Sequence, residues 1–323
     1  MKIKIVSSIP HGACSFYRSH GVFPRIVETE GVQTLSWQIL MDADVLYLER
    51  PDTPAFHEAG KIAKEMGVKL WVDFDDNLFC LPAYNPHLHF YNRATQKIII
   101  KNIQLADIIT VATPAIAEEL LCVDKKIDVI PNAHNDYIFP FEYHLSKSNI
   151  IIWRGSGTHR GDLLPYSNQI WDVANKSKWN WEFIGNNLWY ITDNIRRKNI
   201  LPEMNLPLYF KTIKNMNPAI YIVPLDFNNF NRSKSNCGWL EMTYAGAVTL
   251  APNMPEWIRP GIVNYDTPED FQSKLELLMA NEGLRERNYK KSFEYIKDNL
   301  LLSIVNEQRK QILNKIIARQ QHE

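Results

Sequence analysis

The chain has 323 residues, which at roughly 100–200 residues per domain predicts two domains. Its 36 Lys/Arg balance 36 Asp/Glu, a formal net charge of zero that argues against a dedicated nucleic-acid clamp, since those carry a basic excess. The charge is uneven, however. Residues 1–147 hold 14 basic and 18 acidic side chains, and residues 148–323 hold 22 and 18. A basic second half suits an anionic ligand. Cys14, Cys80, Cys122 and Cys237 lie far apart with no CxxC pair, so neither a zinc ribbon nor a disulfide framework is indicated. The opening MKIKIVSSIPHG has no apolar signal core. Apolar runs such as Ile98–Ile100 and Ile150–Trp153 fall far short of a membrane span, so a cytoplasmic protein is expected.

In chain order, Lys2–Ser7 reads as a strand breaking into the loop Ser8-Ile9-Pro10-His11-Gly12. Val45–Leu48 is strand-like, Ala55–Met66 has helical spacing, and Val68–Val72 is a strand following the Gly67 stop. A helix over Ala94–Leu105, a strand in "ADIITVAT", a helix over Ala115–Leu121 behind Pro114, and a strand in "KIDVIPNAHN" complete the first half. The pattern restarts near residue 148. "NIIIWRGSGTH" is a strand running into a Gly-Ser-Gly loop, Leu163–Ala174 is helical, and "WNWEFIG" and "PAIYIVPL" are strands. Glu241–Gly246 is helical, "AVTLAP" and "GIVNYDT" are strands, and Pro268–Asn281 and Leu284–Ile317 are helical. Alternating strands and helices predict an α/β protein with two parallel, doubly wound sheets, divided at the polar stretch His144–Ser148. The expected units are 1–143, 149–300 and a final helical segment, 301–323.

Ligands of such sheets bind beyond the carboxyl ends of the strands. Gly12 follows the first strand and lets backbone approach a phosphate or sugar. Arg154, Gly155, Ser156, Gly157, Thr158, His159 and Arg160 follow the strand that opens the second half, an array of hydroxyls and guanidinium groups suited to an anionic leaving group. Arg232, Lys234 and Ser235 precede a helix N-terminus that carries Glu241 near its start, with the helix dipole adding to the pull on phosphate. Asp73, Asp75 and Asp76 have the DxD spacing of some metal sites, but no further ligand is suitably spaced. An acceptor-site or helix-capping role is expected instead, and no metal. His87 and His89 read as loop histidines without a third ligand.

"VIPNAHN", "WRGSGTHRGDL" and "FNRSKSNCGWLEMTYAGAVTLAP" resemble the nucleotide-sugar-binding domain of GT-B glycosyltransferases, above all the retaining family-four type. "KLWVDFDDNLF" and "ADIITVATPAIAEEL" resemble a subgroup of bacterial and tailed-phage glycosyltransferases. The resemblance spans most of residues 40–255. It implies two Rossmann-like domains facing across a cleft, a final helix crossing back to the first, and a metal-independent hexosyltransferase with no cofactor beyond its co-substrate. That co-substrate is a nucleoside-diphosphate sugar, UDP-glucose as first expectation. Ser156, Thr158, His159, Arg232, Lys234 and Ser235 would surround the diphosphate, Glu241 would hold the ribose, and Gly12 would approach the donor from the other domain. The family's two glutamates stand eight positions apart. Here only the second, Glu241, is present, with Ser233 at the place of the first, which leaves the sugar and the stereochemical outcome open. A retaining reaction demands no protein base. An inverting one would use His11 or Asp76. Acceptor contacts are expected from Phe16, Tyr17, Arg18, Asp75 and Asp76. The acceptor is a glycan, a protein or hydroxymethylated phage DNA, and a phage enzyme would work in the host cytoplasm. A non-catalytic nucleotide-sugar-binding or scaffold protein is the alternative.

Overall fold

The computed structural model describes residues 1–7, 12–31, 37–121 and 123–320. The first sheet contains β1 (Lys2–Ser7), β2 (Glu28–Gly31), β3 (Val45–Glu49), β4 (Lys69–Phe74), β5 (Ile108–Val111) and β6 (Asp128–Val129), in the order β2-β1-β3-β4-β5-β6. The second contains β7 (Ile150–Arg154), β8 (Asn180–Ile184), β9 (Lys198–Leu201), β10 (Ile220–Ile222), β11 (Val248–Pro252) and β12 (Val263–Tyr265), in the order β12-β11-β10-β7-β8-β9. Strand pairing is parallel throughout both sheets. Every residue of β3 and β11 is buried, as near-continuous apolar runs require when helices cover both faces. The result is the expected GT-B layout, two Rossmann-like α/β domains facing across a cleft.

Several elements differ from the sequence expectation. The outer strands β2 and β9 are mostly exposed, so "ETEG" and "KNIL" lack the apolar run that marks a strand. A helix over Leu206–Met216 was not expected, although Pro207 and the cap Asn205, whose side chain accepts from the Leu208 amide at 3.0 Å, signal it. The helix expected over Leu163–Ala174 is a short turn, Arg160–Leu163, followed by Ser167–Lys176. The helix expected from Glu241 starts earlier, at Cys237. The long helix expected over Leu284–Ile317 is two helices, Glu282–Asn299 and Leu302–Gln320. His134 separates them: its N–H donates to Leu300 O at 2.8 Å, and its carbonyl accepts from Leu302 N–H at 2.7 Å. A tertiary pairing here overrides local helix propensity.

One apolar core joins the two sheets, bringing Ile3, Ile5 and Tyr47 together with Ile152, Ile184 and Trp239, and the last helix adds Leu302, Val305 and Leu313 to it. That helix returns to the first sheet, where Asn306 Nδ2 donates to Val22 O at 3.1 Å. Separate cores fill the remaining face of each sheet.

Beneath the cleft several charged side chains are buried, one pair matched and others not. Arg18, 1% exposed, donates through Nε to Asp73 Oδ2 at 2.9 Å and through Nη2 to Asp73 Oδ1 at 2.7 Å. Its Nη1 donates to Ile130 O at 2.6 Å. Burial, with the Arg18 charge second, lowers the neighbouring Arg309 to about 10. Glu49, at the end of β3, accepts from Ser15 and Ser19, yet burial, with Asp75 and Asp73 adding repulsion, pushes its carboxyl up to about 7.

Folded Glu49 thus holds a proton between the ordinary carboxylate range and about pH 7, where the unfolded chain has lost it. The stability tied to this group is full in acid and is lost as pH rises towards 7. Glu49→Gln is expected to remove that loss. Between pH 5 and pH 8 the melting temperature of the native protein should change less favourably than that of the variant; parallel profiles would contradict the assignment.

Candidate functional site

The site lies where the carboxyl ends of the two sheets meet. β7 ends at Arg154, and the chain turns through Gly155 and Ser156 into a 3-10 turn, Gly157–His159, and the short helix Arg160–Leu163. Opposite, Gly12 caps the helix Ala13–Arg18 with extended backbone. The buried helix Cys237–Ala245 brings Glu241 to the same place.

Glu241 is the hub. Only 3% exposed, it accepts from Tyr17 OH at 2.8 Å through Oε1 and from Tyr209 OH at 2.7 Å through Oε2. Arg154 Nη2 lies 2.8 Å from Oε2. Tyr17 belongs to the first domain and the other three to the second. Burial alone would lower Arg154, but the Glu241 charge outweighs it and holds the guanidinium well above its ordinary value. Burial and the same carboxylate raise Tyr17 and Tyr209, so both phenols remain donors.

Three cavities share walls here. The first, of about 290 Å³, is bounded by Gly12 on one side and by Arg154, Ser156, Tyr209, Glu241 and the segment 203–206 on the other. The second, of about 40 Å³, lies between Arg154, His159, Lys234, Ser235, Gly238 and Trp257. A Cβ at Gly238 would sit 2.2 Å from the Tyr221 hydroxyl, so a larger residue there must displace the Tyr221 ring. The indole Nε1 of Trp257 and the Nε of Arg154 are buried without a partner among the described residues, which suits an oxygen-rich ligand. The third, of about 240 Å³, brings Cys14, Arg50, Asp76, Tyr84 and His87 of the first domain opposite Ser156, Thr158, His159 and Lys234 of the second.

Asp162 ties these walls together across the domains. It accepts from Tyr84 OH at 2.7 Å, from Asn231 Nδ2 at 2.6 Å and from the Asp226 amide at 3.3 Å, and it lies 2.8 Å from His159 Nδ1. Burial raises its carboxyl, but His159, Tyr84 and Asn231 outweigh burial and hold it below the usual carboxylate range. Gly161 beside it admits the Tyr84 ring, which an added Cβ would meet at 2.3 Å.

Gly12, Arg154, Gly155, Ser156, Thr158, His159, Lys234, Ser235, Glu241 and Asp76 therefore line the cleft. Other expected site residues lie elsewhere. Arg232 is on the surface and pairs with Glu118 at 2.9 Å. Arg160 lies over the rings of Trp189 and Tyr190 at 5.5 and 5.3 Å. Gly157 has open space beside it and lines none of the three cavities. The acceptor roles expected for Phe16, Tyr17 and Arg18 need correction. Phe16 packs among Tyr17, Phe139 and Phe210, Tyr17 is committed to Glu241, and Arg18 is committed to Asp73. Asp75 is buried and, like Asp76, bound to Arg50. Ser233 is turned inward, its hydroxyl donating to Phe230 O at 2.8 Å. His11 lies outside the described residues. Among the described residues no group of three His, Cys, Asp or Glu side chains is placed to hold a metal ion, and no helix is long and apolar enough to cross a membrane. Sequence reasoning missed Arg50, Tyr84, Asp162 and Tyr209. Arg50 had a signal, its place directly after a strand, and it adopts a positive φ of 49° rare for a side chain of its size. Tyr84 and Tyr209 had none.

No protein-family model matches the chain, and no curated protein matches it in sequence. Solved structures do match its fold. A glycosyltransferase from Rickettsia africae aligns with a TM-score of 0.69 at 12% identity over 98% of each chain. HepE of Anabaena, solved with UDP, aligns with a TM-score of 0.70 at 9% identity over 98% of this chain and 100% of its own. An alpha-glucosyltransferase solved with UDP and a 13-mer DNA containing an HMU base aligns with a TM-score of 0.67 at 12% identity over 97% of this chain and 99% of its own. At these identities the likeness is one of fold, and it covers both domains.

The contact between Gly161 and Tyr84 predicts a non-additive pair. Gly161→Ala and Tyr84→Ala should each lower the melting temperature, the first by a clash that the second removes. The double variant is expected to be no less stable than Tyr84→Ala alone, and strictly additive losses would contradict the packing.

Proposed function

We propose that the protein is a glycosyltransferase that takes a sugar from a nucleoside-diphosphate donor, with UDP-glucose as first candidate, and moves it to a hydroxyl acceptor. The observation that carries this reading is the buried Glu241 carboxylate at the wall of the first cavity, opposite Gly12 of the other domain. A carboxylate offers about four acceptor positions, and Tyr17, Tyr209 and Arg154 occupy three. One remains for a ribose hydroxyl. Met204, Leu206 and Ile184 give the same cavity an apolar wall for a base. The UDP held by two of the fold's solved representatives supports this assignment.

The diphosphate then falls beside Lys234, Ser235 and the N-terminal turn of the helix Cys237–Ala245. Cations, hydroxyls and helix dipole there meet the negative charge that grows as the sugar leaves, which is electrostatic catalysis without a metal. The acceptor enters through the third cavity, between Arg50, Asp76 and Tyr84. A retaining outcome, in which the leaving phosphate itself takes the acceptor proton, is the first to test. For the acceptor, a hydroxymethylated base in DNA, a glycan or a protein are the candidates, and the HMU-containing DNA of one fold neighbour makes DNA the first to test. A second reading, a non-catalytic nucleotide-sugar-binding protein, draws on Ser233, which offers no carboxylate to the donor sugar.

Calorimetric titration with UDP tests the site. Glu241→Ala is expected to weaken UDP binding at least tenfold, about 1.4 kcal/mol; unchanged affinity would contradict the assignment. Incubation of radiolabelled UDP-glucose with hydroxymethylated and plain DNA tests the acceptor, and label on the modified strand alone is the result expected for a DNA acceptor.

A further inference from the structure

The helix Arg93–Leu105 carries a charge pattern that the fold does not need. Arg93, Lys97 and Lys101 are exposed and stand four residues apart, so they form a single row rising about 6 Å per step. The helix holds no acidic residue, and none of the three cations has an ion pair or hydrogen bond among the described residues. Elsewhere in this domain cations are matched: Lys61 pairs with Glu58, Lys64 with Asp107, and Arg50 with Asp75 and Asp76. Like charges at this spacing repel one another, and Arg93 occupies the first helical position, where the dipole is positive. Two local rules are broken on one exposed face with no compensation inside the fold, which points to a ligand that supplies the missing negative charge.

The row borders a groove of about 480 Å³ whose other walls are Phe79, Gln96 and Ile100. Phe79 and Ile100 are half-buried against a core of the first sheet, so they form the floor. Gln96 Nε2 donates to Tyr91 O at 3.2 Å and to Phe79 O at 3.5 Å, which ties the preceding loop to the helix. Phe90, 43% exposed, presents its ring just before the helix begins. Leu78 and Leu81, on either side of Phe79, line the third cavity, so the groove and that cavity are two sides of one segment. In the cavity Arg50 is already matched by Asp75 and Asp76, which suits an uncharged acceptor unit there. We propose that the groove holds the phosphate backbone of a nucleic-acid strand whose uncharged base enters the third cavity. This rests on the glycosyl-transfer reading and selects one class among its acceptors. Cations in single file meet successive phosphates, and the aromatic and aliphatic floor meets the sugars and bases between them. A flat anionic bilayer touching the row would leave the floor unfilled, and a neutral glycan would leave the cations unmatched. The chain's zero net charge conceals the row, because the other charges of the domain cancel locally.

The test follows the fluorescence anisotropy of a labelled single-stranded DNA oligonucleotide over a range of salt concentrations, beside UDP affinity by calorimetry. The native protein is expected to bind the strand with an affinity that falls as salt rises. The triple variant Arg93→Gln, Lys97→Gln, Lys101→Gln should bind it at least tenfold more weakly at low salt. Its slope of log affinity against log salt should be shallower by about two, as the loss of three phosphate contacts to a single strand requires. All three side chains are exposed and Gln is a good helix former, so melting temperature should hold and UDP affinity should stay within about twofold. Arg93→Lys keeps the charge and should bind the strand as the native protein does. Vesicles of phosphatidylglycerol are the competing probe. Vesicle binding without DNA binding would overturn the proposal and make the groove a membrane contact. No DNA binding at all, or native affinity and slope in the triple variant, would overturn it as well. A native protein that binds the strand through this row, yet binds no UDP and turns over no UDP- or GDP-sugar, would instead overturn the glycosyl-transfer reading and leave the groove a nucleic-acid site.

Discussion

A buried carboxylate must be matched by donors or it costs several kcal/mol, and Glu241 meets that constraint with groups from both domains. Arg154 supplies the countercharge from the end of β7, Tyr209 a hydroxyl from the helix Leu206–Met216, and Tyr17 a hydroxyl from across the cleft. Because one partner is in the other domain, satisfying Glu241 also fixes how the two sheets face each other. Tyr84 with Asp162 does the same at the far side of the cleft, and Thr113 adds a third tie by donating to Ser233 O at 3.0 Å. The three cavities are the space these ties leave open.

The helix Ala13–Arg18 links that constraint to the first domain. Its cap, Gly12, forms a cavity wall, Tyr17 reaches Glu241, and Arg18 locks to Asp73 beneath. A ligand that draws on Glu241 therefore acts on an element anchored in both directions. The uneven charge of the two halves takes on a different meaning in this light. Asp73, Asp75 and Asp76 are spent on Arg18 and Arg50 inside the first domain. Its acidic excess is thus partly internal, whereas Lys234 of the second domain faces the cleft.

The alternation of strands and helices was legible because parallel strands buried on both faces leave apolar runs such as "VLYL" and "IIIW". The exposed edge strands β2 and β9 left no such run. The second-domain side of the site was legible too, since Arg154 and Ser156 come at the end of a strand and Lys234 and Ser235 precede a helix, with Glu241 one turn inside it. What the sequence hid were partnerships across long separations. Arg18 reads as an exposed cation beside two aromatics until Asp73 is seen against it, and nothing near Tyr84 in the chain points to Gly161. Arg232 shows the opposite error. Its place just before a helix N-terminus suggested a phosphate contact, but the turn Asn229–Arg232 sends it outward to Glu118.

A crystal structure of the full chain with UDP tests the central claim most directly. The account predicts a ribose hydroxyl within hydrogen-bond distance of Glu241, the base against Met204 and Leu206, and the diphosphate beside Lys234 and Ser235. UDP bound away from Glu241, or a Glu241 side chain with the same three partners and no contact to the nucleotide, would contradict it.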